Sequence, residues 1–432
     1  MTRKQVVYCL IAVLSVGKSY GQKQLSYFTD QAVKNSPLLK TNAIQSEANK
    51  LDAERMAAAL TKPVVGTDLN YMLAPVYSND PGNTGFKLNP KKDIQDYYGS
   101  DFSATNGGLY RGVLTLNQPL FNKQRVNAVN EQTAVLNEIL SNNSELSKRD
   151  LEKLVTDQYI LCLQDNEQQQ AVQNIIEVIE QQISLTKKLS ANGLGRQGDY
   201  KVLEIELKQQ STALQTFKNN YRIHLLELYS LCGIPDTQIV EIMPLSLEMS
   251  VPRNANQQSG FTKQYQLDSL NIAASKKMFD TKYRPDISLY SSAGLNAVYA
   301  PDIYKRVGWQ VGIRFTQILF DGHQRKLNDQ KTCLLQETAN INRVFFNTKN
   351  EMRKKALLEL IQSIDEQLQS IQLQIVDYNT LLSYYQKQVA AGQNSVIDYI
   401  TVLRSSASLK INSVALQTNR QMTVNNYNYW NW

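Results

Sequence analysis

Four segments of the chain alternate between apolar and polar residues with a period of two, which predicts β-strands. The strands are expected at about residues 63–75, 109–118, 285–299 and 305–317. Charged residues stand on the polar side of the alternation: Asp68, Arg111, Asp286 and Arg314. A dry protein core does not accept unpaired charges, whereas the lumen of a membrane β-barrel does, with the opposite strand face against lipid. A half-exposed sheet of a soluble protein alternates in the same way, so the strands alone leave both interpretations open.

A second period, of seven residues, marks the long segment at residues 321–390. Its apolar residues recur at spacings of three and four: Ile361, Ile364, Leu368, Ile371, Ile375, Tyr378, Leu382, Tyr385 and Val389. This is the seam of a coiled-coil helix. A matching seam lies in residues 122–190, with Val172, Ile176, Ile179 and Ile183. The pattern predicts two helices of about 100 Å each, with return helices at about residues 199–230 and 396–422.

Similar motifs at a constant offset indicate an internal duplication. Gln118-Pro119-Leu120-Phe121-Asn122 resembles Gln317-Ile318-Leu319-Phe320-Asp321, an offset of 199 residues (317 − 118). The same offset relates Gly193 to Gly392 and Asp199-Tyr200 to Asp398-Tyr399. We assign repeat 1 to residues 22–232 and repeat 2 to residues 262–432, with an inter-repeat segment at 233–261. Repeat 1 contains an additional loop from Pro75 to Gly108, rich in Pro, Asn, Asp, Gly and Ser.

The first 21 residues have the layout of a secretory signal peptide. Arg3 and Lys4 precede an apolar run from Val6 to Val16, and small residues follow up to Gly21. The run is shorter than the ~20 residues of a spanning helix, so we favour export and cleavage near Gly21 over a membrane anchor.

Export changes the expectation for the three cysteines that remain, Cys162, Cys232 and Cys333. Their odd number leaves at least one unpaired within a chain, even in an oxidising compartment. We expect all three to be buried as small hydrophobic side chains.

Composition excludes several functions. The chain has 432 residues, of which 42% are hydrophobic and 20% charged, and a formal net charge of +7. Its charges are mixed in sign without a block of five like charges, which argues against nucleic-acid binding. Two histidines, His224 and His323, do not make a multi-histidine metal site, and the four cysteines lack CxxC spacing. Residues 193–198 match GxGxxG but follow a helix rather than a strand, so no dinucleotide site is expected. We expect neither a cofactor nor a metal.

Two strands, a long helix, a turn and a return helix, twice over behind a signal peptide, resemble the outer-membrane efflux protein (TolC) family. The resemblance rests first on the strand–helix junctions, with Gln118, Pro119 and Phe121 in repeat 1 and Gln317, Phe320 and Asp321 in repeat 2. It rests also on the tip patterns Gly193-x5-Asp199-Tyr200 and Gly392-x5-Asp398-Tyr399, and on Leu231-Cys232-Gly233-Ile234-Pro235. The match covers essentially the whole chain after the signal peptide.

The resemblance implies a mainly α-helical homotrimer with a small β part. Four strands from each protomer would complete a 12-stranded β-barrel in the outer membrane, and long antiparallel coiled coils would form an α-barrel that extends into the periplasm. The trimer would be the exit duct of a tripartite efflux or type I secretion system. Its partners would be a periplasmic adaptor protein, an inner-membrane pump and outer-membrane lipid, and it would not be an enzyme.

The resemblance also implies two functional regions at the tip turns. Gly193, Arg196, Gly392, Gln393 and Asn394 are expected to dock the adaptor. Asp398 is expected to form the periplasmic constriction, with Asp199 and Thr401 nearby, although an Asp in a first helical turn also suits a purely structural role. Family members often carry a second aspartate where Thr401 stands and an arginine where Asn394 stands, so a weaker cation gate is expected.

Two other functions stay open from the residues alone. A periplasmic coiled-coil adaptor or scaffold would explain the helical hairpins and the signal, but not the charged strand faces. A secreted enzyme would use His224 or His323 with nearby acids such as Glu227 and Asp321. No nucleophile motif accompanies either histidine, and surface-helix positions explain both.

Overall fold

The computed structural model describes residues 23–73, 75–87, 96–98, 108–192, 198–251, 259–297 and 300–432. The expected signal peptide and the expected tip residues Gly193 and Arg196 lie outside these ranges. The helices are α1 (Leu25–Asn35), α2 (Pro37–Thr61), α3 (Lys123–Ala191), α4 (Asp199–Cys232), α5 (Gly260–Asp280), α6 (Gln324–Ala390) and α7 (Val396–Trp430). The strands are β1 (Val64–Leu73), β2 (Val76–Ser78), β3 (Gly85–Lys87), β4 (Tyr97–Tyr98), β5 (Gly108–Leu120), β6 (Asp286–Ala297) and β7 (Val307–Thr316).

The chain is mainly helical with a small β part, as the sequence predicts, and it forms two compact units. The strand unit comprises the described residues within 43–141 and 264–342. The helical unit comprises those up to 42 and those within 142–263 and 343–432. Among the described residues, none of the helices has both the length and the hydropathy needed to cross a membrane.

Four long antiparallel strands form the main sheet of the strand unit, in the order β1-β5-β6-β7. β1 and β7 are its edges, and each is ten residues long. β5 ends at Leu120, shortly before α3, and β6 begins at Asp286, shortly after α5. These two strand ends lie at the same end of the sheet, called the helix-linked end below. The opposite end, where β6 leads to β7, is called the distal end below.

A second, three-stranded sheet in the order β3-β2-β4 lies within the segment predicted as a loop between Pro75 and Gly108. Tyr77 on β2 is opposite both Phe86 on β3 and Tyr98 on β4, so the three rings share one face. The Tyr77 and Phe86 rings make an edge contact with centroids 5.4 Å apart. These strands are only two or three residues long, which is too short to produce a readable period.

One end of the helical unit is held by a cluster around Phe28 of α1. Phe28 is fully buried among α3 and α4 residues that include Val155, Tyr159, Leu225 and Tyr229. α4 ends at Gly233, whose φ of 61° is left-handed. Asn35, at the end of α1, donates from Nδ2 to the carbonyls of Cys232 and Gly233 at 2.9 and 3.2 Å. The N-terminal helix therefore closes the end of α4.

The other end of the helical unit is held by the tip cluster. Its buried members come from all four long helices: Ile175, Ile179, Ile183, Leu203, Val389, Val396, Tyr399, Ile400, Leu403 and Ala407. Ile179, Ile183 and Val389 belong to the heptad seams of the sequence. The seam positions thus join two helical hairpins as well as the two helices of each hairpin.

Candidate functional site: an inverted sheet and a helical tip

The pairing register puts the apolar positions of all four long strands on a single face. Leu114 is opposite Thr67 on β1 and Ala293 on β6, and Ala293 is opposite Trp309 on β7. Directly paired residues share a face, so the same face carries Val65, Leu69, Tyr71, Leu116, Leu289, Leu295, Val311, Ile313 and Phe315. The other face carries Asp68, Asn70, Arg111, Thr115, Asn117, Ser288, Ser292, Asn296, Gln310 and Arg314.

The apolar face of this sheet exposes large hydrophobic side chains that a water-soluble monomer would bury. On the apolar face, the exposed fractions of Leu69, Trp309 and Ile313 are 82%, 80% and 71%. On the polar face, Ser288 and Ser292 are only 7% and 6% exposed. Contiguous exposed apolar patches of this kind mark contact with lipid or protein.

The charges of the polar face have partners within the strand unit. Arg111 lies 3.2 Å from Asp68 Oδ2, and Asp286 is paired with Arg125 at 2.6 Å. The Arg314 guanidinium lies over the Tyr290 ring, 5.5 Å from its centroid. Such partnerships let charges stand on a partly enclosed surface without the full cost of desolvation.

The apolar face has the height of a bilayer's hydrocarbon layer. It extends on β5 from Tyr110, which contacts Tyr71 at the distal end, to Leu120 at the helix-linked end. Ten residues at ~3.4 Å each give about 34 Å along the strand. With the ~40° tilt of a membrane barrel this becomes a height of about 26 Å, close to the ~25 Å apolar band of such barrels.

The predicted junction residues lie at the helix-linked end, where the chain turns from strand to helix. Gln118 and Pro119 are still within β5, and the Gln118 side chain donates to the carbonyl of Thr61 at 2.8 Å. Phe121 has a φ of 59°, an uncommon value for a residue with a side chain, and α3 starts two residues later.

The other predicted junction residues, Gln317, Phe320 and Asp321, lie between β7 and α6. Asp321 accepts hydrogen bonds from the Arg325 backbone N–H at 2.8 Å and the Tyr283 hydroxyl at 2.6 Å. The Tyr283 hydrogen bond lowers the pKa of Asp321, and the same bond raises the pKa of Tyr283 to about 12. Asp321 is therefore an acceptor at the start of α6, which explains a carboxylate at this junction.

The second tip turn is a Schellman motif built around Gly392. Gly392 has a φ of 69°, and the Gln393 N–H donates to the Gln388 carbonyl at 2.9 Å. These features close the C-terminus of α6. The Asn394 side chain bonds Gln388 and the Ser395 N–H, so it shapes the turn, whereas Gln393 is exposed.

The three expected gate residues lie at the starts of the return helices. Ser395 caps α7 by accepting from the Ile397 N–H at 3.1 Å, and Asp398 follows in the first turn. Asp398 and Thr401 are exposed, while their neighbour Tyr399 is buried in the tip cluster. Asp199 is the first residue of α4 and is partly exposed.

An ion pair with a buried carboxylate lies close to the tip cluster, and the sequence pattern does not predict it. Glu206 of α4 is 1% exposed and accepts a hydrogen bond from Arg404 Nε of α7 at 2.6 Å and another from Gln210 at 2.8 Å. In the sequence, Glu206 stands three residues after Leu203 and therefore on the apolar side of its helix, which is the pattern that indicates a buried carboxylate. The pair links α4 to α7.

The expectation for the cysteines is wrong at one position. Cys162 and Cys232 are buried, but Cys333 is exposed on α6. Burial, together with the charges of Asp165 and Glu227, raises the pKa of the Cys162 thiol, which is the reverse of what a nucleophile needs. The His224 ring has a structural partner, because its Nδ1 lies 2.6 Å from a carboxylate oxygen of the buried Asp165. Within the described ranges, no group of His, Cys, Asp and Glu side chains is arranged to hold a metal ion.

Solved structures similar to this chain are outer-membrane channels. The Campylobacter jejuni CmeC outer membrane channel matches with a TM-score of 0.69 at 14% identity, over 96% of this chain and 87% of CmeC. The outer membrane protein VceC from Vibrio cholerae matches with a TM-score of 0.67 at 13% identity, over 94% of this chain and 96% of VceC. The open state of the Neisseria gonorrhoeae MtrE outer membrane channel matches with a TM-score of 0.63 at 14% identity, over 94% of this chain and 88% of MtrE. No family model and no curated protein sequence matches the chain. These similarities confirm the resemblance at the level of fold: the chain has the fold of the TolC-like outer-membrane channels.

Proposed function

We propose that the chain is one protomer of a trimeric channel in the outer membrane, the exit duct of a tripartite efflux or type I secretion system. The observation that carries this proposal is the inverted sheet, with an exposed apolar face and a polar face that holds paired charges. A soluble adaptor or scaffold would place the apolar face inside. An apolar face of about 26 Å suits lipid, and the polar face suits a water-filled lumen.

The two unpaired edges of the sheet support the trimer. β1 and β7 have equal lengths of ten residues, and open sheet edges do not occur in lipid because their backbone groups would be unsatisfied. Pairing β7 of one copy with β1 of the next satisfies both edges. Three copies then give a closed barrel of twelve strands, whose polar faces line one lumen.

The helical hairpins would form the periplasmic part of the duct, with the tips toward the inner membrane. We propose that Gln393 and Arg196 contact the adaptor, while Gly193, Gly392 and Asn394 shape the turns that present them. Asp398 would form the narrowest ring, with Asp199 and Thr401 beside it. No catalytic step is proposed, because transport through such a duct requires no bond to be made or broken.

The test combines location, stoichiometry and conductance. The full chain, expressed with its N-terminal segment in a diderm bacterium, should fractionate with the outer membrane and run as a detergent-stable trimer that heat dissociates. The purified trimer should give stepwise ion currents in a planar bilayer. A soluble monomer in the periplasm would contradict the proposal and favour the adaptor or scaffold.

A further inference from the structure

The polar face of the sheet contains a cavity of about 360 Å³ near its distal end. The floor of the cavity is bare backbone, because Gly294 on β6 is paired with Gly308 on β7. A Cβ atom at Gly308 would have no neighbour within 4 Å, so the space above this residue is open. The missing side chain of Gly308 leaves this space open, whereas a Cβ at Gly294 would collide with the backbone of Gly112 and Val113 on β5.

Cationic side chains flank this floor. Arg111 is opposite Asn296, whose backbone N–H donates to the Arg306 carbonyl at 3.0 Å, so Arg111 and Arg306 belong to one row across the sheet. They stand two strands apart, which places their backbones about 10 Å from each other. Lys305 also lines the cavity, and none of the described lining residues is Asp or Glu.

The polar groups around the floor are suited to an anion. Arg111 Nε is buried and lies 3.2 Å from Asp68 Oδ2, so this nitrogen already faces a carboxylate. On the opposite side of the glycine pair, Gln310 Nε2 donates to Ser292 Oγ at 2.9 Å. The Arg306 guanidinium at one wall can pair with the oxygens of a phosphate, sulfonate or carboxylate. At the other wall, Arg111 can do so with the nitrogens that do not face Asp68, and charge-assisted bonds of this kind are the strong ones.

We propose that this cavity binds an anionic group of solutes that pass through the channel. The existence of the site depends only on the strand unit, while its role in transport rests on the proposed function. In the trimer the cavity would occur three times around the distal mouth of the lumen. The expected cargo therefore includes solutes that carry a phosphate, sulfonate or carboxylate group.

Equilibrium binding tests the site without any need for conductance. Inorganic pyrophosphate is titrated by calorimetry into the purified full-length protein in detergent at low ionic strength. Arg306→Gln removes one flanking charge, and Gly308→Leu fills the floor without changing the charge. Each variant should weaken binding about tenfold or more, because a charge-assisted contact or the space for the ligand is lost.

Arg314→Gln is the matched control. Arg314 is on the same polar face and carries the same charge, but it lies at the other end of the sheet over the Tyr290 ring. Its replacement should leave pyrophosphate binding unchanged within about twofold. Absence of binding to the parent protein, or equal loss in all three variants, would overturn the proposal.

The planar bilayer separates this inference from the proposed function. In an active channel, pyrophosphate added on the distal side should interrupt the current of the parent and of Arg314→Gln, but not that of Arg306→Gln. Block that is identical in all three would overturn the cavity as the binding site. If calorimetry shows the predicted pattern and no current is ever observed, the anion site stands and the channel function is refuted.

Discussion

Replacing Leu114 with arginine should prevent assembly in the membrane, whereas the same replacement at Asn117 should not. Leu114 lies on the apolar face of a central strand, between Tyr110 and Leu120, and is 58% exposed. Asn117 lies on the same strand but on the polar face, and it is also exposed. The two variants therefore add the same charge to one strand at positions that differ mainly in the face they occupy.

The expected magnitude follows from the depth of Leu114. A charged residue near the middle of the hydrocarbon layer costs ~2–4 kcal/mol on the lipid face of a barrel. This corresponds to a factor of about 30 to 1000 in the folding equilibrium of each chain. If the sheet were an exposed surface of a soluble protein, the same substitution would change the stability by no more than about 0.5 kcal/mol.

Two measurements decide between these outcomes. Trimer yield from membranes, read on gels with and without heating, should fall strongly for Leu114→Arg and stay near the parent for Asn117→Arg. Unfolding titrations in phospholipid vesicles should show the corresponding difference in free energy. Equal yields for the two variants, or a greater loss for Asn117→Arg, would refute the assignment of the lipid face.

Three further predictions concern the helices. Asp398→Asn should lower the cation preference of the channel and relieve the block by divalent ions added on the tip side. If the reversal potential and the block match those of the parent, Asp398 only stabilises the N-terminus of α7. Maleimide should rapidly label the exposed Cys333 in the native mature chain, and mass spectrometry should show one adduct. Cys162 and Cys232 should not react, because burial raises the pKa of both thiols, that of Cys232 to about 12. Two or three adducts without denaturant would contradict the buried packing. Arg404→Gln should destabilise the fold by about 1–3 kcal/mol in chemical denaturation, since the buried Glu206 carboxylate loses its charged partner and keeps the hydrogen bond from Gln210. Lys201→Gln breaks only a surface ion pair and should cost under about 1 kcal/mol. Equal effects of these two substitutions would show that the buried pair contributes nothing special.

The sequence could predict those elements whose environment is uniform along their length. The four long strands keep one mainly apolar and one mainly polar face along their length, so their period of two is readable in the sequence. The heptad positions Ile361, Ile364, Ile371 and Val389 are buried because α6 packs against other helices there. Earlier in the same helix, around Cys333, most side chains are exposed and no seam indicates which face is covered.

Elements without a continuous buried stripe have no periodicity that would predict them. Helix α2 has one buried residue, Ala53, and α5 has two, Leu267 and Ala274. Only the residue composition of α2, which is rich in the helix formers Ala and Glu, indicates a helix there. The anion cavity could not be predicted, since Gly294 and Gly308 become neighbours only through the register of β6 and β7.

The docking of α1 has a consequence for the order in which the protein folds. Asn35 meets Cys232 and Gly233 across 197 and 198 residues of chain, and Phe28 is buried by side chains from both α3 and α4. Contacts this distant in sequence form late, because the loop between them must close first. Helix α1 thus has no finished binding surface until α4 has been made. We therefore expect Phe28 to be buried only after α3 and α4 have formed.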